Sequence, residues 1–344
     1  MVTRFGTIEG REIREVEIAS ETALAKIIEY GAAVRDLVVT RADGTTQRVV
    51  LGLNTLEDYV THSPHMGAIA GRYANRIRGG KFFLDGVAYQ LPLNQEGRHT
   101  LHGGGPTGFG KSPWTAVHHD ASSVTLVHVS PDGFNGFPGT LVTTCRYVLV
   151  GNSLRILLSA TTDRATVVNL CHHSYFNLTG SSDILDHTLE VRANVITPVD
   201  GDLIPNGELK AVAGTPFDFR VARPVRHQGA DGQRHWYDHN YVLRRERTEP
   251  SAGEGLRVAH AATLAAPDKS LAMEVWTTEP ALQVYDGFKV NLTVPGHDGV
   301  RYGANAGICL EPQHVPDSPN LPHFPSTVLR PGEVYRQVTE YRFR

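Results

Sequence analysis

Glycine and proline punctuate this chain from end to end, and their spacing limits what it can fold into. The 34 glycines and 20 prolines among 344 residues are scattered, not gathered into a linker, so they read as turns between many short strands. The segments between them carry strand signals. Val124–Val129 is a β-branched run that leads into a turn at Ser130–Gly139. Thr140–Val150 and Leu154–Thr161 follow, with Gly151-Asn152 between them as a two-residue hairpin turn. At the C-terminus Tyr341 and Phe343 alternate with Glu340, Arg342 and Arg344, the period of two that a half-buried strand shows. Helical signals are scarce. The best is Asn54–Val60, with Asn54 as the candidate cap and Glu57 three residues on, and it is barely two turns long. No strand pattern alternates with a helix of ten or more residues, which argues against a parallel α/β sheet. The expected fold is all-β, one large and mostly antiparallel domain over residues 1–344, without a repeat of fixed period.

Charge and apolar patterning narrow the function. Thirty-three basic residues stand against 36 acidic ones, a formal net charge of -3. A nucleic-acid binder needs a basic face to displace counterions, and this balance removes it. The same balance argues against a protein held on anionic lipid. The longest apolar stretch, Ala23–Val39, is broken by Lys26, Glu29, Arg35 and Asp36, so no membrane span is expected. The first residues, Met1-Val2-Thr3-Arg4-Phe5-Gly6, carry no apolar signal segment. Cys145, Cys171 and Cys309 show no Cys-x-x-Cys spacing, so neither a disulfide framework nor a zinc site is indicated. Reduced thiols in a cytoplasmic protein are the expectation. Asn177-Leu-Thr179 and Asn291-Leu-Thr293 match glycosylation acceptors, which carry little weight without a secretory signal.

Two phosphate-loop patterns need to be set aside. Gly105-Pro-Thr-Gly-Phe-Gly110-Lys111-Ser112 fits G-x-x-x-x-G-K-[ST], and Gly103–Gly108 fits G-x-G-x-x-G. Such a loop works by joining a buried strand to a helix whose first amides hold the phosphates. Here Arg98–His102 precedes it and is no buried apolar strand, while Pro113–Val117 follows it and looks like the start of a strand. A glycine-rich surface loop beside His102 is the better reading.

Several polar clusters are dense for ordinary loops. They are Gly71–Ile77 with Asn75 and Arg76, His102 before three glycines, Asn169–Leu178 with His172 and His173, Asp238-His-Asn240, Gln283-Val-Tyr285, and Gly307–His314 with Glu311 closing an apolar strand. Each has a plain alternative. Arg76 is a solvated cation, Asn75 a turn residue, one of the two histidines a core residue, and Glu311 before Pro312 a strand end. Collected in one cleft, such groups suit a ligand with many hydroxyls.

Together these motifs resemble the aldose 1-epimerase (galactose mutarotase) family over nearly the whole chain. The likeness runs from Gly31–Leu37 through Gly71-Arg-x-Ala-Asn-Arg-Ile77, Leu101-His-Gly-Gly104, His173–Leu178, Asp238-His-Asn240, Gln283-Val-Tyr285 and Leu310-Glu-Pro-Gln313 to Ser318–Ser326 and Leu329–Tyr335. The resemblance implies a large antiparallel β-sandwich, the galactose mutarotase-like supersandwich. It implies Glu311 as general base and His173 as general acid. Asn75, Arg76, His102, Tyr175, Asp238 and Gln283 fall at positions that hold the sugar. Gly108–Lys111 with Trp114 resembles the family's own loop, which accounts for the false phosphate-loop match. Three places depart from the family pattern: His172 stands where asparagine is common, Cys171 where threonine is usual, and Asp286-Gly-Phe288 differs after Tyr285.

The implied reaction interconverts the α and β anomers of a free aldohexose such as glucose or galactose. One base and one acid suffice to open and close a hemiacetal, so no cofactor and no metal is expected. Ordinary glutamate and histidine pKa values suit a base and an acid near neutral pH. The expected partner is a small monosaccharide, with no nucleic acid or membrane, and the chain acts as a monomer or homodimer. Three alternatives are weighed. A non-catalytic sugar-binding module does not need both Glu311 and His173. A metalloenzyme built on His102, His173 and Glu311 would be a two-His-one-carboxylate set, and no H-x-H or H-E-x-x-H spacing supports it. An epimerase for another aldose or a sugar phosphate would, for the phosphate, need an extra cationic pocket.

Overall fold

The computed structural model describes residues 1–229, 232–251 and 255–344. Three antiparallel sheets carry the fold. The largest has ten strands and runs from Thr115–His119 through Ser123–Ser130, Leu141–Val150, Ser153–Thr162, Tyr335–Phe343, Ala272–Thr277, Arg257–Ala265 and Thr188–Val191 to Arg223–Pro224, with Thr248–Pro250 paired beside Arg257–Ala265. A five-stranded meander covers Val2–Ile8, Arg11–Ala19, Ala23–Ile28, Ala33–Thr40 and Thr46–Arg48 in chain order. A six-stranded sheet runs Tyr175–Phe176, Ile308–Gln313, Ala281–Tyr285, Asp238–Leu243, Ala193–Thr197 and Lys210–Ala211. The all-β antiparallel architecture expected from the turn spacing is the one observed.

The sheets share one core. Val16, Ile18, Ile27 and Leu37 of the meander meet Val124, Leu126, Tyr147 and Leu149 of the ten-stranded sheet in the largest apolar cluster. Leu282, Val284, Ile308 and Leu310 of the six-stranded sheet join it from the other side, with Val275, Met273 and Tyr341. Two buried hydroxyls tie the layers: Tyr147 donates to the Ala32 carbonyl at 2.7 Å, and Tyr341 to the Leu310 carbonyl at 3.0 Å. Buried tyrosine hydroxyls need such partners, and here each one fixes the spacing of two sheets.

The Gly151-Asn152 hairpin is present, with Val150 opposite Ser153, and Gly151 takes the positive φ of 51° that its first turn position requires. The short helix spans Leu56–Thr61, but its cap differs from expectation. Thr55, not Asn54, caps it: the Thr55 hydroxyl accepts from the Asp58 N–H, while Asn54 donates its amide to the Gly296 carbonyl at 2.7 Å. The terminal strand also departs from a half-exposed one. Glu340 is buried and accepts from Arg155 (3.0 Å), Arg342 (2.9 Å) and Ser251 (3.1 Å). The glycine-rich loop forms two single turns, Gly105–Thr107 and Phe109–Lys111, and then enters the strand Thr115–His119. No phosphate-binding helix follows it. No helix among the described residues is long and apolar enough to cross a membrane.

Candidate active site

The register of the six-stranded sheet sorts its residues onto two faces. Gln283 lies opposite Glu311 and Tyr285 opposite Cys309. Asp238 lies opposite Tyr285 and Asn240 opposite Gln283, and Tyr175 is the partner of Cys309 on the other side. Directly paired residues point the same way and neighbours along a strand point oppositely. Tyr175, Cys309, Glu311, Gln283, Tyr285, Asp238 and Asn240 therefore share one face, while Ile308, Leu310, Leu282 and Val284 enter the core behind it. Glu311 does not close its strand as expected. The strand continues through Pro312 to Gln313, so the carboxylate sits mid-strand, opposite Gln283, and is buried.

Loops supply the facing wall. The pair Arg76-Ile77 bridges Thr100-Leu101, which brings two distant motifs together. The His102 N–H donates to the Asn75 carbonyl at 3.0 Å, and the Asn75 N–H donates to His102 Nδ1 at 3.2 Å. Gly103 makes the approach possible: a Cβ there would lie 2.0 Å from the Gly71 oxygen. Asn75, His102 and the neighbouring His65 all take positive φ, at 60°, 50° and 64°.

Glu311 and His173 meet at the floor. His173 Nε2 stands 3.6 Å from Glu311 Oε1, and both side chains are buried. His173 is fixed through its backbone, which donates to the Ala68 carbonyl at 2.9 Å and accepts from Gly67 at 3.0 Å. Two thiols flank the pair. Cys171 Sγ donates to Glu311 Oε2 at 3.4 Å, and Cys309 Sγ lies 3.5 Å from His173 Nδ1. Burial raises the Glu311 carboxyl above its ordinary value, and the adjacent His173 opposes that rise. Burial, helped by His65, His173 and Arg76, holds His102 well below the usual histidine range. His102 is therefore neutral, and because Nδ1 accepts from Asn75 its proton resides on Nε2 as a donor.

The adjacent histidines separate as a strand requires. His172 turns away into the core, where Nε2 meets Ser174 Oγ at 2.7 Å and the ring packs against Tyr147 and Tyr341. Burial pulls its pKa down to about 3.

The remaining expected residues assemble around a cleft of about 260 Å³. Arg76 is clamped on three sides: Nε donates to Gln95 Oε1 at 2.9 Å, Nη1 to Asn75 Oδ1 at 3.4 Å, and Nη2 to Asp238 Oδ2 at 3.4 Å. Asp238 also accepts from Gln283 Nε2 at 2.6 Å. Gln283 is not part of the cleft wall and stands behind Asp238. Tyr175 lines the wall and donates its hydroxyl to the Pro64 carbonyl at 3.1 Å. Sequence reading missed His65, Gln95, Glu96 and Lys289, which also line the cleft. Tyr285 of the Gln283-Val-Tyr285 motif lines it as well. The loop residues carry no pattern of their own, since only folding brings them to the mouth.

His173, Cys309 and Glu311 offer ligand atoms within 4.8 Å of one another, so the set weighed as a metalloenzyme alternative, His102, His173 and Glu311, is not the one that distance selects. Lys111 of the rejected phosphate loop donates to the carbonyls of Ser63 (2.7 Å) and Tyr59 (3.3 Å), and burial lowers its pKa to about 8.

The model of the aldose 1-epimerase family matches residues 14–342. Mouse galactose mutarotase is 39% identical over 345 aligned residues, spanning 99% of this chain and 97% of its own. The aldose 1-epimerase of Escherichia coli K12 is 38% identical over 325 residues, 92% of this chain and 91% of its own. The crystal structure of an aldose epimerase homologue from C. elegans superposes with a TM-score of 0.86 at 29% identity, covering 96% of this chain and 98% of that one. Galactose 1-epimerase from Lactobacillus acidophilus gives 0.81 at 27% identity, covering 100% and 98%.

Proposed function

The chain belongs to the aldose 1-epimerase family, an isomerase of carbohydrates, and from that membership we propose that Glu311 and His173 interconvert the anomers of a free aldohexose. One observation carries the reading. An ionisable oxygen and an imidazole nitrogen face each other at 3.6 Å on the floor of a polar cleft, close enough to serve two atoms of one sugar ring.

Glu311 Oε1 takes the proton of the C1 hydroxyl while His173 Nε2 gives a proton to the ring oxygen. The C1–O5 bond breaks and C1 becomes an aldehyde. Rotation about C1–C2 presents its other face, and both transfers reverse as the ring closes. No proton is gained or lost over the cycle, so the pair returns to its starting state. Burial makes Glu311 a stronger base than a solvated carboxylate. Arg76 supports oxyanion character during opening, neutral His102 donates from Nε2, and Asp238, held by Gln283, accepts from sugar hydroxyls. Asn75 and Tyr175 complete the wall. The catalytic unit is the whole chain as one domain.

Polarimetry of freshly dissolved α-D-glucose, α-D-galactose and a pentose, with and without the protein, tests the reading and ranks the sugars. Saturable sugar binding with no acceleration of mutarotation would instead identify a binding module.

A further inference from the structure

The two thiols beside the acid–base pair are arranged crosswise. Cys171 precedes His173 by two residues yet contacts Glu311, and Cys309 precedes Glu311 by two residues yet lies against His173. Residues two apart on a strand share a face, so each stretch delivers one reacting group together with one thiol for its neighbour's group. All four side chains are buried.

We propose that Cys171 is a positioning residue: its S–H claims Oε2 of Glu311 and thereby leaves Oε1, the oxygen beside His173, as the atom that takes the sugar proton. The proposal rests on Glu311 being the base. Three observations support it. Oε2 accepts from Cys171 at 3.4 Å, whereas Oε1 faces His173 at 3.6 Å, so the two oxygens are not equivalent. Burial and the Glu311 carboxylate hold the Cys171 thiol well above its usual range, so it remains a protonated donor wherever the site works. Cys309 at Nδ1 steadies the imidazole from its far edge, which keeps Nε2 over Oε1.

A donor on a carboxylate favours its ionised form. The titratable groups around Glu311 are His173, Cys171 and Tyr175 from the Cys171–Phe176 stretch, Asp238 from its sheet and Arg76 from the loop above. Tyr341 approaches from the ten-stranded sheet, and Cys309 lies on its own strand. Among these Cys171 alone hydrogen-bonds Glu311. Cys171→Thr and Cys171→Val differ by a hydroxyl against a methyl in nearly the same volume, so together they separate the hydrogen bond from packing.

The readout is the pH dependence of kcat/KM for sugar mutarotation. Cys171→Val should move the acid limb up by about half a pH unit or more, the scale of one lost hydrogen bond. Cys171→Thr should keep the wild-type limb, and KM should stay within about twofold in both, because sugar does not touch a group behind the carboxylate. Superimposable limbs in all three proteins overturn the proposal, and so does a Thr limb displaced as far as the Val limb. If Cys171→Val does not fold, Cys171→Ser and Cys171→Ala make the same comparison. Glu311→Gln separates the two claims. A Glu311→Gln protein of undiminished rate removes the base itself, whereas an inactive Glu311→Gln with an unmoved Cys171→Val limb removes only the thiol's role.

Discussion

Glu311 illustrates a conflict between stability and chemistry within one residue. Its folded pKa is raised above the ordinary value by burial, so between those two values the folded chain holds more protons than the unfolded one. Stability contributed by this group therefore falls as pH rises through that window, and the whole cost is present above it. Glu311→Gln should lose about a hundredfold or more in rate, the scale of a missing general base, and yet melt at a higher temperature at pH 8. That thermal gain should disappear near pH ~4, where a free glutamate is itself protonated. Paired melts at the two pH values check it, and a Tm difference independent of pH contradicts the assignment. The histidines give a second test. His173→Asn should cost about a hundredfold or more in turnover. His172→Asn should leave turnover close to wild type and lower stability by about 1–3 kcal/mol, because its ring fills core space between Tyr147 and Tyr341. A larger loss of turnover from His172→Asn would reverse the acid assignment.

At the scale of elements, the Gly71–Ile77 loop divides its two arginines between core and cleft. Arg76 lines the cleft, whereas Arg72 is fully buried, with Phe137 beside it. Its guanidinium donates to the carbonyls of Ser130 (3.1 Å), Pro138 (2.8 Å) and Gly139 (3.0 Å) and to the hydroxyls of Ser130 (2.7 Å) and Thr166 (3.2 Å). Burial lowers its pKa to about 10, so it remains a cation at neutral pH. Arg72→Met removes every one of those donors at once and should destabilise the protein by about 1–3 kcal/mol or more, the penalty of leaving buried acceptors without a partner. The protein that does fold should retain the wild-type KM. Denaturant unfolding combined with polarimetry separates these effects, and a neutral Arg72→Met would mean that water replaces the guanidinium without penalty.

For the molecule as a whole, the reaction proposed needs nothing beyond the chain and the sugar. Activity should survive exhaustive chelation, and ATP should show no saturable binding that Lys111→Ala abolishes. Loss of activity in EDTA with recovery on adding a divalent metal would turn attention to His173, Cys309 and Glu311. The fold class was legible in the sequence because turn residues and period-two alternation are local properties: Gly151-Asn152 between two strand-like runs favours a hairpin, and the flanking strands pair. Many of the residues that line the cleft, Glu311 and His173 among them, were legible through the ordered motifs that carry the family resemblance. The buried Glu340 was not, because a charge alternating with aromatics looks solvated until Arg155, Arg342 and Ser251 arrive from elsewhere to cover it. The Thr55 cap was missed because Asn54 is an equally good capping residue, and only the carbonyl of Gly296 draws it away. His65, Gln95 and Lys289 reach the cleft from separate loops, and no spacing along the chain records that meeting. Sequence alone thus determined the all-β class, several of its strands and the motifs whose side chains line the cleft. Tertiary structure decided which oxygen of Glu311 meets Cys171 and which faces His173, and which thiol lies against which of the two side chains, because those depend on register between strands far apart in the chain.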